Sequence, residues 1–140
     1  MTPVDVLPHW PEGAAGVLCV AGPHPIPVST SLRAGDLRFL FALGPRRDAL
    51  RRLREDPRAA FCLMAEDLAF TAHGEVHVLR EKMEDVPIAA LEFRVEDVQD
   101  HLADGRTRMI AAPGWEWQEE RAADADRAVR AELGRLARSR

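Results

Sequence analysis

The chain has 140 residues, 46% of them hydrophobic and 30% charged, with a formal net charge of −4. That balance fits one globular domain with a single core. It argues against a general nucleic-acid binder, whose affinity rests on neutralising phosphates. No run of 18 apolar residues is present to span a membrane, and the opening MTPVDVLPHWPEG lacks the basic-then-apolar order of a signal peptide.

Residues 1–13 are rich in proline and are expected to be an irregular lead-in along the surface. GVLCVAG (16–22) is a short apolar run that suits a buried strand. Residues 25–35 alternate, with Ile26, Val28, Thr30 and Leu32 on one face and Pro27, Ser29, Ser31 and Arg33 on the other. Ala34-Gly35-Asp36 signals a turn. LRFLFAL (37–43) returns, with Leu37, Phe39, Phe41 and Leu43 on its inner face. Gly44 breaks the strand and Pro45 suits the first position of a helix. Ala49, Leu50 and Leu53 form its apolar stripe, Arg47, Arg51, Arg54 and Glu55 face solvent, and Asp56-Pro57 ends it. RAAFCLMA (58–65) reads as a buried strand, and 68–80 as a long strand that Gly74 should bend or bulge. Residues 89–101 open as a strand with Leu91, Phe93 and Val95 inward, and 106–112 suit a last strand. Residues 117–138 are helical, with Ala122, Ala125, Val129, Leu133 and Leu136 on one face.

Short strands joined by tight turns favour a mainly β fold, an antiparallel sheet closed into a barrel, over a doubly wound α/β sheet, in one domain spanning 1–140. Neither a GxGxxG nor a GxxxxGK[ST] pattern occurs, so no dinucleotide fold or P-loop is supported. Cys19 and Cys62 lie inside apolar runs and read as small buried hydrophobes in a reducing compartment, which implies the cytoplasm.

Three stretches carry polar or aromatic groups worth placing. Arg46 and Arg47 fall in the first turn expected for the short helix, where the dipole favours acids by about 0.3–1 kcal/mol. They are either a solvated basic face or an anion site, with free helix N–H groups, two guanidinium forks and the hydroxyls of Ser29 and Ser31 as donors. HGEVH puts His73, Glu75 and His77 on one strand face, but the two imidazoles stand about 13 Å apart along an ideal strand. That stretch reads as a polar face, with no metal. GWEWQ places Trp115 and Trp117 at the entry to the last helix, where packing is the common role of such rings.

The stretch from residue 14 to about residue 80 resembles the core of the pyridoxamine 5′-phosphate oxidase-like family, the FMN-binding split β-barrels. The likeness rests on Pro23, Pro27-Val28, the aromatic strand Leu37 to Phe41, the segment Leu53 to Arg58 and the mid-strand Gly74, in that order and spacing. It implies a six-stranded antiparallel split barrel with two α-helices, assembled as a homodimer with a flavin in each of two interface grooves, and an oxidoreductase acting on a small molecule. The FMN phosphate would then meet Arg46 and Arg47 and the second strand at Val28, Ser29, Thr30 and Ser31, with Trp115 or Trp117 covering the flavin across the dimer. The position where relatives usually carry a lysine is Ala49 here. The alternatives are the deazaflavin F420 as cofactor, or a non-enzymatic, stress-associated flavin-binding module.

Overall fold

The structure, a computed structural model, describes residues 2–4 (backbone only), 6–44 and 47–139. The elements run β1 (Thr2–Val4), β2 (Gly16–Val20), β3 (His24–Val28), β4 (Ser31–Gly35), β5 (Arg38–Leu43), α1 (Asp48–Glu55), β6 (Arg58–Ala65), β7 (Leu68–Arg80), β8 (Ala89–Asp100) and α2 (Glu120–Arg138). The strands pair antiparallel in the order β3-β2-β6-β7-β8-β5-β4, and β1 pairs with the far end of β8. The two edge strands of that path are consecutive in sequence. Only Ser29 and Thr30 separate Val28 from Ser31, and three residue steps reach at most about 10 Å. The sheet must curl until its edges meet there. The result is the expected split barrel, mainly β with two helices, but with seven strands along the path in place of six.

The added strand comes from residues 25–35, which break in two at Ser29-Thr30. The break also reverses the alternation. Val28 and Ser31 both turn inward, and Leu32 turns outward, opposite to the face read from the sequence. Leu32 is nonetheless packed, because α2 covers that outer face. The strand expected over 106–112 does not form. That segment passes the β6–β7 turn, where both strands are already paired, and Ile110 is left 78% exposed. A single backbone bond, Asp67 N–H to Met109 O at 2.9 Å, holds it there. Leu37, expected inside, lies in the turn before β5 and is exposed.

Two apolar cores result. The barrel interior holds Leu18, Phe39, Phe41, Phe61, Phe70, Leu91 and Phe93, with Phe39 stacked on Phe93 at 4.7 Å. α1 closes one end through Ala49, Leu50 and Leu53, the stripe expected of it. The lead-in closes the other. Leu7 is fully buried, and the Trp10 ring stands edge-on to Phe39 at 5.6 Å while its Nε1–H donates to Ser31 Oγ at 3.1 Å. Residues 6–10 are thus a plug as well as a surface lead-in.

The ladder is irregular at Gly74, where a bulge or bend was expected, but the extra residue, Glu96, belongs to the facing strand β8. The register slips between His73 and Gly74, and a Cβ there would stand 2.0 Å from Arg94 O. The second core lies outside the barrel, where Val129 and Leu133 of α2 pack on Leu40, Met83 and Ala90. The expected phase of α2 holds, although the helix starts at Glu120. Buried Glu132 accepts both of its bonds from the Glu84 N–H. Arg38 ties β5 to buried Glu92 and donates to Ala137 O near the end of α2. Burial by itself would raise the Glu92 pKa, but hydrogen bonds from Arg38 and Arg94 outweigh it and hold the carboxyl below its ordinary value.

Because Leu133 is completely buried in this outer core, Leu133→Asp should lower stability by several kcal/mol, about 3 or more. Thermal unfolding followed by circular dichroism checks this. An unchanged melting temperature would mean that α2 is not docked.

Candidate functional site

The basic helix start foreseen in the sequence is resolved differently in the fold. α1 begins at Asp48, and Arg47 is its N-cap residue with extended backbone (φ −70°, ψ 130°) and no side-chain cap bond. The first turn therefore carries an acid, Asp48, and the last turn carries Arg52 and Arg54, in keeping with the helix dipole. Arg46 lies outside the described residues. Asp48 bonds Arg52 at 2.6 Å and Arg51 at 2.8 Å, and these contacts hold its carboxyl down at about 2. Arg47 is left out of that network. Its guanidinium reaches back to Pro27 O at 3.2 Å, across the split of the barrel.

An open cleft of about 280 Å³ lies at that split. It gathers Val28, Ser29, Thr30, Arg47 and Trp117, five of the eight residues singled out from the sequence. Ala49 is fully buried in the barrel core and offers no charge. The Thr30 hydroxyl donates to Asp126 Oδ1 at 3.1 Å, so its one proton is already engaged. Ser29 uses its carbonyl, which accepts from Arg130 at 2.8 Å. Ser31 is turned into the barrel end beside Trp10 and does not reach this cleft. Trp115 stands one step away, edge-on to Trp117 at 5.3 Å, with its Nε1–H donating to Gly13 O at 2.7 Å. Trp117 reaches the cleft of its own chain.

Two site-shaping residues gave no signal in the sequence. Asp126 and Arg130, four apart on α2, form an ion pair of 2.7 Å with side chains only 10% and 15% exposed. Each also grips the β3–β4 link, Asp126 at Thr30 and Arg130 at Ser29. In the sequence they are an ordinary i, i+4 pair on a polar helix. Elsewhere His73 faces Asp97 at 3.5 Å and His77 faces Glu75 at 3.4 Å. Among the described residues no His, Cys, Asp or Glu trio converges on a metal position, and no helix is long and apolar enough to cross a membrane.

Comparison with solved structures identifies the fold. HupZ of Group A Streptococcus superposes with a TM-score of 0.54 at 12% identity, over 72% of this chain and 90% of that one. A protein of Listeria innocua named as a candidate pyridoxamine 5′-phosphate oxidase gives 0.52 at 14% identity, over 63% and 88%. A like-named protein of Lactobacillus delbrueckii gives 0.52 at 12% identity, over 62% and 84%. The chain thus has the split-barrel fold of the pyridoxamine 5′-phosphate oxidase-like proteins. No family sequence model matches it, and no curated protein matches it by sequence.

The Asp48 contacts predict a pH dependence. A carboxyl whose folded pKa is about 2 against an ordinary 3.8 adds stability above pH 4 and loses it as pH falls through 2. Wild type should therefore melt above Asp48→Asn at pH 6, and the gap should close between about pH 4 and pH 2. Melting curves of both proteins across that range are the check; a gap that persists at pH 2 would show that Asp48 acts by other means.

Proposed function

We propose that the protein is a flavin-dependent oxidoreductase that binds FMN, with F420 as the alternative cofactor, and acts on a small molecule as a cytoplasmic homodimer. The observation that carries this reading is the cleft at the split, where Arg47, Ser29 and Trp117 meet. A phosphate ester suits that set. A guanidinium fork binds phosphate oxygens in pairs, and Asp126, which accepts from the Thr30 hydroxyl, is neutralised by Arg130. Ligand sites usually measure roughly 300–1,000 Å³, so about 280 Å³ in one chain has room for the phosphate end of a flavin and not for its ring system.

A second copy would supply the remainder. The outer face of β2 and β6 leaves Val17 and Met64 43% and 45% exposed, although their strands read in sequence as apolar throughout. Val17 pairs with Pro27, which lines the cleft, so the bare apolar face and the cleft are continuous. Bound FMN would supply the hydride chemistry. The chain's own residues bind and orient: Arg47 and Ser29 hold the phosphate, Trp117 shields it from water, and the Asp126–Arg130 pair keeps the β3–β4 link from moving.

Two measurements test the reading. Arg47→Glu should weaken FMN binding at least tenfold in a fluorescence titration while the melting temperature stays level or rises slightly, since an acid near a helix start is favourable. Equal affinity in variant and wild type would remove the phosphate site. A wild type that takes up neither FMN nor F420 would put the non-enzymatic module in its place. Met64→Arg should turn a dimer into a monomer in light scattering, because it buries a charge in the proposed apolar contact. A wild type already monomeric at micromolar concentration would rule out the shared groove.

A further inference from the structure

Next to the cleft is a second hollow, of about 650 Å³, between the 11–15 segment, the β6–β7 turn and the start of α2. It shares Trp117 with that cleft, but a ligand here does not depend on flavin binding there. Its corner is formed by Trp115 and Trp117, whose planes meet at 90° and which remain 42% and 44% exposed. The Trp115 N–H is already bonded to Gly13 O. Indole has no other donor and no acceptor, so what this ring offers a ligand is its π surface.

The walls around this corner are acidic. Glu12, Glu66, Glu116 and Asp126 stand with Arg127 and Arg130; Asp126 is paired with Arg130, Arg127 with Asp124, and Glu66 lies 4.0 Å from Arg108, which leaves Glu12 and Glu116 with no ion pair among the described residues. The chain's overall negative charge does not account for this. The hollow on the other side of Arg130, about 620 Å³, has no such surplus: Arg138 stands with Glu12, and its two other arginines are paired, Arg33 with Asp36 and Arg130 with Asp126. Aromatic faces beside a surplus of carboxylates attract a cation that also has an apolar skin. A neutral apolar ligand would strip water from the carboxylates with nothing in return. A bare metal ion lacks the converging ligand set it needs among the described residues.

We infer that the Trp115–Trp117 corner is a binding site for an organic cation, an alkylated ammonium group that sits against the two rings within the field of Glu12 and Glu116. The test uses ¹⁵N-labelled protein free of flavin, the three indole N–H signals and two probes: choline, and 3,3-dimethylbutan-1-ol, which has the same shape with carbon in place of nitrogen. Choline should shift the Trp115 and Trp117 signals saturably and leave that of core-bound Trp10 in place. The neutral isostere should bind at least tenfold more weakly, since only the cation gains from the ring quadrupole and the carboxylates. Trp117→Leu should abolish the choline shift at Trp115. Glu116→Gln, an exposed change that leaves the fold intact, should weaken binding several-fold. Absence of a saturable shift at millimolar choline, equal binding of the isostere, or indifference to both substitutions overturns the site. Since no flavin is present, a failed FMN titration leaves this result untouched, and the reverse also holds.

Discussion

The two-residue link Ser29-Thr30 constrains everything else in this molecule. It joins the two edges of a seven-strand path, so the sheet has no choice but to close upon itself at that point. A link of two residues between edge strands cannot be relaxed by fraying without opening the barrel. The pairing holds up to the link itself, where Ala42 N–H donates to Thr30 O at 3.3 Å. α2 then grips the link from outside through Asp126 and Arg130. An ion pair this deeply set is a poor source of net stability, because desolvation offsets most of its attraction. Its value here is geometric, since it fixes the position of two peptide units at which a strand edge, a helix start and a tryptophan converge.

The phase reversal at the link explains why the protein needs two cores. Were the alternation of residues 25–35 continuous, Leu32 would face into the barrel and Ser31 out. With the break, Ser31 enters the barrel end and finds the Trp10 N–H, and Leu32 is sent to the outer face. Leu40 of β5 shares that outward direction and is completely buried only because α2 lies across it. α2 is therefore required to cover apolar surface that closure of the barrel pushes outward, and Arg38 and Glu132 secure it at both ends of the contact. The outer face of β2 and β6 has no such cover, which is the physical basis for expecting a second copy there.

The arrangement also separates charge. The cleft at the split presents Arg47, the hollow beyond it has Glu12 and Glu116 around two tryptophans, and the hollow on the far side of Arg130 has no acidic surplus. Arg130 stands between the last two as a wall whose own charge is already balanced.

The sequence by itself determined the mainly β character, the α1 stripe, the phase of α2 and an irregularity of the ladder at Gly74. Each rests on local periodicity or on one residue's sterics, and such signals survive whatever the rest of the chain does. It also marked Val28, Ser29, Thr30, Arg47 and Trp117, which the fold draws into one cleft from three distant stretches. Tertiary structure decided the remainder. The start of α1 moved to Asp48, because the acid there found Arg51 and Arg52 a turn later and Arg47 turned back toward β3. Residues 106–112 stayed irregular, because their path runs beside strands already paired on both sides. Trp10, read as part of a surface lead-in, became a plug because an open barrel end lay within its reach. Asp126 and Arg130 acquired their roles only once closure brought Ser29 and Thr30 beneath α2, across about a hundred residues of chain that no local pattern can bridge.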